Sequence, residues 1–294
     1  MDPELAGKAA RYARRVQEVY PELRVRTARL ILEDGQYNDV LVVNGELIFR
    51  FPRLLAGVKR LETLVRVLRV VRRHVALATP EPVYSCTVPA VVGQAFLGYP
   101  RVPGEPLWQE TFDRLGGEDV LQAIATQAAT FLKELHSIPP DEAFPGALAR
   151  FDPLAEWADL YARIRERLFP HMRPDAREGV AQHFEAFLRD PGSAAIRPAL
   201  THGDYGGGNL LFDPQTQRLT GVIDFDHAGV GDPAVDFAAA QGLGLRRLAK
   251  VYPEVEAALD RVRFYGGTFA LQEALYDAEH GDDEAFRRSI APYA

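Results

Sequence analysis

Residues 201–213 read THGDYGGGNLLFD, and this segment is the most informative stretch of the chain. His202, Asp204 and Asn209 lie within eight positions, and glycines 206–208 directly precede Asn209. The apolar run 210–212 begins at the next position. A carboxylate and an amide five residues apart on a glycine-rich loop, directly before a strand-like run, indicate a functional loop.

The apolar run opens a predicted hairpin over residues 210–226, which read LLFDPQTQRLTGVIDFD. Its returning strand places Asp224 directly after an apolar run, where an ionised carboxylate requires a compensating partner or a metal ion. The hairpin can therefore bring Asp224 together with Asn209 and Asp204. The oxygens of Asn209 and Asp224 are hard ligands that suit Mg²⁺ with its bound waters and phosphates. Asp204, on its own loop, is then able to accept a proton.

This arrangement matches the phosphoryl-transfer template of kinases. That template has a base in a catalytic loop, an Asn five residues later and a metal-binding Asp on the following hairpin. Here His-Gly-Asp-x-x-x-x-Asn occupies residues 202–209, where protein kinases carry His-Arg-Asp-x-x-x-x-Asn. Ile-Asp-Phe follows at residues 223–225, in the place of Asp-Phe-Gly. The two spacings together predict phosphoryl transfer.

The first hundred residues have a strand-rich pattern. Residues 4–19 read as an amphipathic helix, and residues 25–57 alternate as strands do. Asn44-Gly45 between two apolar runs predicts a type I′ hairpin. Gly35 and Asn38 predict a tight loop before it. Residues 58–75 have a helical period, and two short strands follow.

A cluster of proline and glycine at residues 100–106 marks the predicted boundary, and the chain beyond it is mostly helical. We therefore predict an α+β fold with two lobes. Residues 1–98 form a nucleotide-binding lobe of strands with one main helix. Residues 99–294 form a helical catalytic and acceptor-binding lobe.

Composition limits the choice of partners. The 294 residues carry a net charge of −7, which disfavours a nucleic-acid partner. Cys86 is the only cysteine, so there is no disulfide framework and no cysteine-based metal cluster. No apolar run approaches the length of a membrane span. We expect a cytoplasmic monomer that has neither a membrane nor a nucleic acid as partner.

HGDYGGGN, followed by GVIDFDHAGVGDPAVDF, resembles the aminoglycoside phosphotransferase family of kinase-like enzymes. FRFPR, FLGYPRVPGEPL, LKELHS and FYGGTFALQEALYDAEHGDDEAF extend the resemblance, in the right order, over nearly the whole chain. The 2″-aminoglycoside phosphotransferases are most similar, and the macrolide 2′-phosphotransferases are a near second. The resemblance implies a protein-kinase-like fold, ATP or GTP as phosphate donor, Mg²⁺, a hydroxylated small-molecule acceptor and a role in antibiotic resistance.

The resemblance also assigns roles to residues. Asp204 becomes the base that orients the acceptor hydroxyl and takes its proton, while Asn209 and Asp224 hold Mg²⁺ against the phosphates. Supporting roles fall to His202, Asp232 and Asp236. The hinge between the lobes maps to residues 97–101, with backbone groups of Gly98 and Tyr99 near the purine. Phe96 would limit the depth of the nucleotide pocket.

One departure from the family lies on the third strand. The family usually has a Lys there that pairs with the phosphates and with a helix Glu, whereas this chain has Arg50, with Glu62 as the expected partner. Arg differs from Lys in shape and reach, so the nucleotide is expected to be held differently. Arg53 is a second candidate for this role.

The acceptor half departs as well. After DPAVDF the sequence is apolar and then basic, AAAQGLGLRRLAKVY, where carboxylates would suit a polycationic aminoglycoside. The candidate acceptor contacts are Tyr205, Glu273, Tyr276 and Asp277, with further acids at Glu279, Asp282, Asp283 and Glu284. Helical spacing places Glu273 and Asp277 on one face. A more neutral cleft would suit a macrolide or another hydroxylated metabolite.

Two alternatives come from other functional classes. The first is a metal-dependent phosphoesterase with His202, Asp204, Asp224, Asp226 and His227 as ligands. The second is a catalytically silent nucleotide binder, suggested by the missing Lys. The β-rich first lobe argues against the hydrolase, and the intact Asp204, Asn209 and Asp224 argue against the silent binder.

Overall fold

The computed structural model describes residues 3–31, 37–281 and 283–294. Gly35 of the predicted loop and Asp282 of the predicted acidic group lie outside the described residues. The chain forms two compact units. The first unit comprises Met1–Trp108, Glu142–Phe144 and Gly208–Ala228, and the second comprises Gln109–Asp141, Pro145–Gly207 and Gly229–Ala294. The first unit therefore includes the 208–228 hairpin, which the sequence-based division at residue 98 assigned to the second lobe.

Ten strands are described, and they form three antiparallel sheets. They are β1 (Ala28–Ile31), β2 (Asn38–Val43), β3 (Leu47–Pro52), β4 (Tyr84–Cys86), β5 (Phe96–Pro100), β6 (Glu105–Pro106), β7 (Ala199–Thr201), β8 (Leu210–Asp213), β9 (Arg218–Val222) and β10 (Gly229–Gly231). The strand orders are β1-β2-β3-β5-β4 and β6-β8-β9 in the first unit, and β10-β7 in the second.

Thirteen α-helices are described. They are α1 (Pro3–Val19), α2 (Leu55–Val71), α3 (Gln109–Arg114), α4 (Glu118–Ser137), α5 (Pro140–Ala143), α6 (Ala155–Arg167), α7 (Pro174–Arg189), α8 (Pro191–Ala194), α9 (Ala234–Ala239), α10 (Leu245–Ala249), α11 (Glu254–Ala257), α12 (Leu259–His280) and α13 (Asp283–Ile290). None of the described helices is long and apolar enough to cross a membrane. The strands of the first unit and the helices of the second confirm the predicted α+β fold class.

The β2–β3 hairpin turns at Asn44 and Gly45, whose φ angles are 54° and 78°. Both angles are in the left-handed region that a type I′ turn requires. The Glu46 N–H donates to the Val43 carbonyl at 3.1 Å and closes the turn. Asn44 also accepts backbone N–H groups from Arg26 and Thr27, which ties the turn to the chain before β1.

Side chains of the five-stranded sheet alternate between two faces, as the pleat dictates. Phe49, Phe51 and Phe96 lie on the face that packs against α1, in a core that includes Val16 and Tyr12. The Tyr12 ring stacks on Phe51 with centroids 4.0 Å apart. The opposite face carries Arg50, and this alternation decides which residues can reach the candidate site.

The helix of the first unit and the long helices of the second bury apolar stripes. In α2 the buried residues Val58, Leu61, Val65 and Leu68 recur three or four positions apart, which gives one apolar face. In the second unit, α12 packs against α6, α7, α9 and α13, and α4 packs against α10 and β7. These contacts position β7, which leads into the catalytic-loop motif of residues 202–209, and α9, which carries Asp236.

Candidate active site

Asp224 follows β9 in a left-handed conformation, with a φ of 63°. Few residues other than Gly adopt this conformation, although Asp and Asn do so more readily than most. The preceding residue, Ile223, donates its N–H to the Asn209 carbonyl at 2.9 Å. The β8–β9 hairpin therefore brings Asn209 and Asp224 to the same end, as the sequence predicts. Because such a backbone is costly, it commonly marks a functional position.

Arg50 lies next to this carboxylate. Its Nη2 donates to the two carboxylate oxygens of Asp224 at 3.0 and 3.1 Å and to Asp226 at 2.8 Å. The Arg50 side chain is buried, and burial alone would lower its pKa. The negative charges of Asp224 and Asp226 outweigh this effect and raise the pKa of Arg50. We call Arg50, Asp224 and Asp226 the arginine–carboxylate cluster.

Asp226 is the member of the cluster that the kinase interpretation of the sequence does not include. Besides Arg50, it accepts a hydrogen bond from the side-chain amide of Asn38, at the start of β2. The sequence contains a signal for it, since Asp-Phe-Asp places a second carboxylate two residues after Asp224. The contacts to β2 and β3 come from residues about 180 positions away and are not visible in the local sequence.

Glu62, the expected partner of Arg50, lies elsewhere. Its carboxylate accepts a hydrogen bond from the Thr87 hydroxyl at 3.2 Å. Arg53 forms an ion pair with Asp39 at 3.0 Å, on the sheet face that packs against α1. The structure therefore does not bring either residue to the cluster, and Arg50 pairs with the hairpin carboxylates. The helical period fixes the face of Glu62 only relative to α2, so sequence alone could not decide this pairing.

Tyr99, rather than Phe96, shares the sheet face of Arg50. The register pairs Arg50 with Leu97 and Ile48 with Tyr99, so these four residues are on one face. Burial raises the pKa of Tyr99 to about 12, and the positive charge of Arg50 opposes this shift. Phe96 is fully buried on the opposite face, so its predicted role in limiting the pocket does not fit its position.

Gly98 also has a packing role. A Cβ at this position would collide with the Phe49 ring. Gly98 and Tyr99 belong to β5, between β3 and β4, so their backbone groups face neighbouring strands. β4 ends opposite Gly98, and the Arg101 N–H turns toward β3 to reach the Glu46 carbonyl at 2.7 Å. By alternation, the Pro100 carbonyl and the Val102 N–H point to the other side, where the sheet has no further described strand.

Asp236, on α9, binds the backbone of the catalytic-loop motif. Its fully buried carboxylate accepts the backbone N–H groups of His202 and Gly203, each at 2.8 Å. The Asp204 N–H donates to Nδ1 of the buried His202 at 3.2 Å. Since Nδ1 accepts this bond, the ring proton is on Nε2. Asp236 and His202 therefore hold the backbone around Asp204 within the second unit, and their supporting role in catalysis stays a prediction.

Asp232 ties the start of α9 to α12. One oxygen accepts the Ala234 N–H at 3.0 Å, as a helix cap does, and the other accepts from Arg261 at 2.6 Å and from the Tyr265 hydroxyl at 2.9 Å. Burial and the nearby Asp232 charge raise the pKa of Tyr265, so its hydroxyl keeps its proton and can donate.

His136, at the end of α4, is a supporting residue that the sequence analysis missed. Its Nε2 lies 3.0 Å from the Asp236 carboxylate and its Nδ1 lies 3.2 Å from the Tyr252 hydroxyl. Burial raises the pKa of Tyr252 to about 12, so the phenol donates to Nδ1 while Nε2–H donates to Asp236. The sequence signal for His136 is the segment LKELHS, which belongs to the family resemblance but carries no residue with an assigned role.

Tyr205 is not placed to contact an acceptor. It is fully buried, its hydroxyl donates to the Ala128 carbonyl at 3.1 Å, and its ring stacks on Phe131 at 5.5 Å. This prediction is wrong because the residue after Asp204 points into the α4 core. A large apolar ring in a glycine-rich loop is stabilised mainly by burial.

The candidate acceptor contacts on α12 differ in their exposure and in their partners. Glu273 is exposed, Asp277 is half-buried, and the Tyr276 ring stacks on His280 with centroids 4.8 Å apart. Glu279 forms an ion pair with Arg163 at 2.6 Å, so its charge is compensated. The helix places Glu273 and Asp277 one turn apart, as predicted, and their role as acceptor contacts stays a prediction.

The described residues contain no group of three or more His, Cys, Asp or Glu side chains arranged to hold a metal ion. Asn209 and Asp224 form a smaller donor set, an amide and a carboxylate. This set suits an ion that keeps several waters and takes its remaining ligands from phosphates, as Mg²⁺ does. The residues at the end of the β8–β9 hairpin therefore fit Mg²⁺.

Comparison with known proteins identifies related enzymes. Viomycin phosphotransferase of Streptomyces vinaceus is 31% identical over 272 residues, which cover 90% of this chain and 92% of that protein. Among solved structures, the GDP and kanamycin complex of APH(2″)-IIIa superposes with a TM-score of 0.85 at 22% identity, over 96% of each chain. Macrolide 2′-phosphotransferase type I superposes with a TM-score of 0.72 at 22% identity, over 100% of this chain and 98% of that one.

The two structural likenesses show that the fold is shared. The model of the phosphotransferase enzyme family matches residues 29–272, a range that contains the arginine–carboxylate cluster, the catalytic-loop motif and Asp236. This match and the viomycin phosphotransferase relative confirm the family that HGDYGGGN and GVIDFDHAGVGDPAVDF indicate. The chain belongs to the phosphotransferase enzyme family.

Proposed function

We propose that the protein transfers the γ-phosphate of ATP or GTP to a hydroxyl of an aminoglycoside-type antibiotic, with Mg²⁺. The observation that carries the proposal is the strained Asp224 beside Asn209, with Arg50 on its carboxylate. A carboxylate held in a left-handed backbone beside a buried cation suits a site that binds phosphate through a metal ion better than it suits packing.

Asn209 and Asp224 would hold the metal ion through their side-chain oxygens. When bound there, Mg²⁺ would supply positive charge that offsets the negative charge of the donor phosphates. Arg50 offers a planar fork of donors for the same phosphates, in place of the usual Lys. Asp226 accepts a hydrogen bond from the same guanidinium at 2.8 Å and helps to keep it in position.

Asp204 is the proposed base. It takes the proton of the acceptor hydroxyl as that oxygen attacks the γ-phosphorus, and the nucleoside diphosphate leaves as the P–O bond breaks. Asp204 and Asn209 are five positions apart in the chain, so at full extension their Cα atoms are at most about 18 Å apart. The buried anchor at Asp236 fixes the two residues just before Asp204, so the base is positioned by the backbone.

The purine is proposed to bind at the edge of β5. The Pro100 carbonyl would accept from the base and the Val102 N–H would donate to it. These two groups replace Gly98 and Tyr99 as the proposed backbone contacts, because the latter face strands of the sheet. An acceptor and a donor two residues apart can recognise adenine or guanine, so the donor nucleotide is left open between ATP and GTP.

The aminoglycoside-type acceptor is supported by the APH(2″)-IIIa complex, which contains kanamycin, and by the acidic residues of α12. The net charge of −7 also favours a cationic acceptor. Within the basic segment after α9, Arg247 is paired with Glu118 at 2.7 Å, so part of its charge is compensated.

A macrolide or another hydroxylated metabolite is the second candidate. It is favoured by a cavity of about 600 Å³ in the second unit, which contains Arg246, Arg247 and Lys250 among its lining residues. Glu118 also lines the cavity and pairs with Arg247, so the lining keeps an excess of positive charge. This excess repels a polycation, whereas a macrolide or a neutral metabolite carries fewer positive charges to repel. The macrolide 2′-phosphotransferase likeness points in the same direction.

The test is acceptor-stimulated consumption of ATP and of GTP, each with and without Mg²⁺. The panel contains kanamycin, gentamicin, viomycin, a macrolide and a simple polyol. Stimulation by the aminoglycosides, dependent on Mg²⁺, is the expected result. Stimulation by the macrolide alone would move the acceptor to the second candidate. Nucleotide consumption that no acceptor increases would contradict the proposal.

A further inference from the structure

Trp108 is held firmly at the end of the short sheet that leads to the glycine-rich loop. The preceding residue, Leu107, is buried and donates its N–H to the Leu210 carbonyl at 2.8 Å. The Trp108 N–H donates to the Pro106 carbonyl at 3.1 Å. Because β6 pairs with β8 at Pro106 and Leu211, the Trp108 backbone is fixed relative to the start of β8.

The indole lies directly on Gly208. A Cβ at this position would come within 2.8 Å of Cζ3 and 3.0 Å of Cη2 of Trp108, so Gly208 must be glycine for the indole to remain there. Gly206, two residues earlier, has nothing within 4 Å of such a Cβ. The last glycine of the loop therefore has a packing requirement that Gly206 does not share, and its partner is the Trp108 ring.

The indole nevertheless remains 48% exposed. The other large hydrophobic residues with comparable exposure in the described chain are aliphatic. The second tryptophan of the chain, Trp157, instead contacts Phe264 and Tyr265 with ring centroids 5.3 and 4.9 Å away. An aromatic ring that is held in place while one face stays exposed to water is typical of a binding platform.

The contact with Gly208 places Trp108 beside the loop that carries the proposed catalytic residues. The residue it covers, Gly208, directly precedes Asn209, the proposed metal ligand, and follows the proposed base Asp204 by four residues. An acceptor whose hydroxyl reaches Asp204 must approach this loop. Sugar rings present C–H faces and ammonium groups, and both are attracted to the face of an indole.

We propose that Trp108 is an acceptor-binding platform, on which an aminosugar ring of the acceptor packs against the exposed indole face. The proposal rests on the proposed function and identifies a residue that determines its acceptor specificity. It requires that Trp108 contact the acceptor and have no effect on nucleotide binding. Loss of the indole should raise the acceptor KM about tenfold, in the range of a desolvated cation–π contact.

The kinetic experiment compares Trp108→Leu, Trp108→Phe and the matched control Trp157→Phe. Trp108→Leu should raise the acceptor KM about tenfold while the nucleotide KM and Tm stay at their wild-type values. Trp108→Phe keeps a smaller aromatic face, so its acceptor KM should lie between those of wild type and Trp108→Leu. Trp157→Phe should leave the acceptor KM unchanged. An unchanged acceptor KM in Trp108→Leu would overturn the proposal.

A binding experiment works without turnover and separates the two proposals. The chain has two tryptophans, so Trp157→Phe reports Trp108 fluorescence alone. Titration with kanamycin should change this signal, and the same titration of Trp108→Phe, which reports Trp157, should show no change. The reverse pattern would overturn the platform even if turnover is normal. A signal change in Trp157→Phe without phosphate transfer would support the platform and count against the proposed function.

Discussion

The arginine–carboxylate cluster and the Asp236 anchor each depend on an aspartate, but the two carboxylates differ in burial and in the kind of partner they have. Asp224 and Asp236 lie twelve residues apart in one motif. The Asp236 side chain has no exposed surface and accepts two backbone N–H groups and His136. The Asp224 side chain is 33% exposed and pairs with the guanidinium of Arg50 at 3.0 Å.

This difference separates a carboxylate that stabilises the fold from one that can exchange partners. A buried acceptor with several fixed backbone donors cannot release them without leaving unpaired groups. A partly exposed carboxylate keeps surface available for another ligand, and a metal ion is the ligand proposed for Asp224. Asp39 is also buried and accepts from the side chains of Lys8, Tyr12 and Arg53, so we classify it as structural as well.

The largest expected effect belongs to the proposed base. Asp204→Ala should lower kcat by about 10³-fold, in the range reported for general acid–base groups, with nucleotide affinity nearly unchanged. Single-turnover kinetics and nucleotide titration measure the two quantities. Asp204→Asn is the matched control for shape, and near-normal turnover by either variant would remove Asp204 from the mechanism.

Asp236→Ala tests the anchor. It leaves two backbone N–H groups and His136 without their acceptor in a buried site, so the free energy of unfolding should fall by about 3–5 kcal/mol. Denaturant unfolding measures this loss. The exposed Asp260→Ala is the control and should change stability by less than about 0.5 kcal/mol. An equal, small loss in both variants would refute the classification of Asp236 as structural.

Asp224→Ala should leave the fold intact and remove the Mg²⁺ dependence of nucleotide binding. The change deletes a metal ligand, while Asp226 still compensates the charge of Arg50. Calorimetric titration of nucleotide at several Mg²⁺ concentrations gives the result. If the Mg²⁺ dependence of the variant follows that of the wild type, Asp224 does not hold the metal.

Arg50→Lys restores the residue type that the family usually has at this position. A Lys cannot present the planar fork, so contact with both Asp224 and Asp226 should weaken. We expect a change in nucleotide KM of about tenfold or less, with kcat within a few-fold of wild type. Arg50→Met, which removes the charge, is the comparison. If it binds nucleotide as well as wild type does, Arg50 does not contact the phosphates.

Asp39 gives the smallest expected effect, a loss of stability at neutral pH that disappears in acid. Burial raises its pKa, but hydrogen bonds from Lys8, Tyr12 and Arg53 outweigh this and hold the pKa below 3.8. Its contribution to stability is therefore present at neutral pH and lost as the pH falls through the lowered pKa. Asp39→Asn should be less stable than wild type at pH 7 and approach it below about pH 4. Normal turnover at pH 7 is expected, and a parallel offset at every pH would contradict the assignment.

Local sequence predicted much of the fold. The helical periods of α1 and α2 and the Asn44-Gly45 turn are properties of neighbouring residues, and the structure contains each of them. The β8–β9 hairpin also follows from local spacing, and it places Asn209 opposite Ile223 and next to Asp224. Short-range geometry was sufficient in these cases because the interacting groups are joined by a single turn.

The errors concern long-range register. Whether Phe96 or Tyr99 shares the face of Arg50 depends on how β5 pairs with β3, about fifty residues earlier in the chain. Likewise, the Arg50 contacts span more than 170 residues. Tyr205 was assigned to the acceptor because its loop is catalytic, but the apolar ring is buried against α4.

The most direct test of the account is the fate of the γ-phosphate, followed by ³¹P NMR with the wild-type protein, Mg²⁺, nucleotide and an aminoglycoside. The account predicts a phosphate monoester signal on the acceptor and an equal amount of nucleoside diphosphate, with neither formed by Asp204→Asn. Inorganic phosphate without a phosphorylated acceptor, or an unchanged monoester yield from Asp204→Asn, would contradict it.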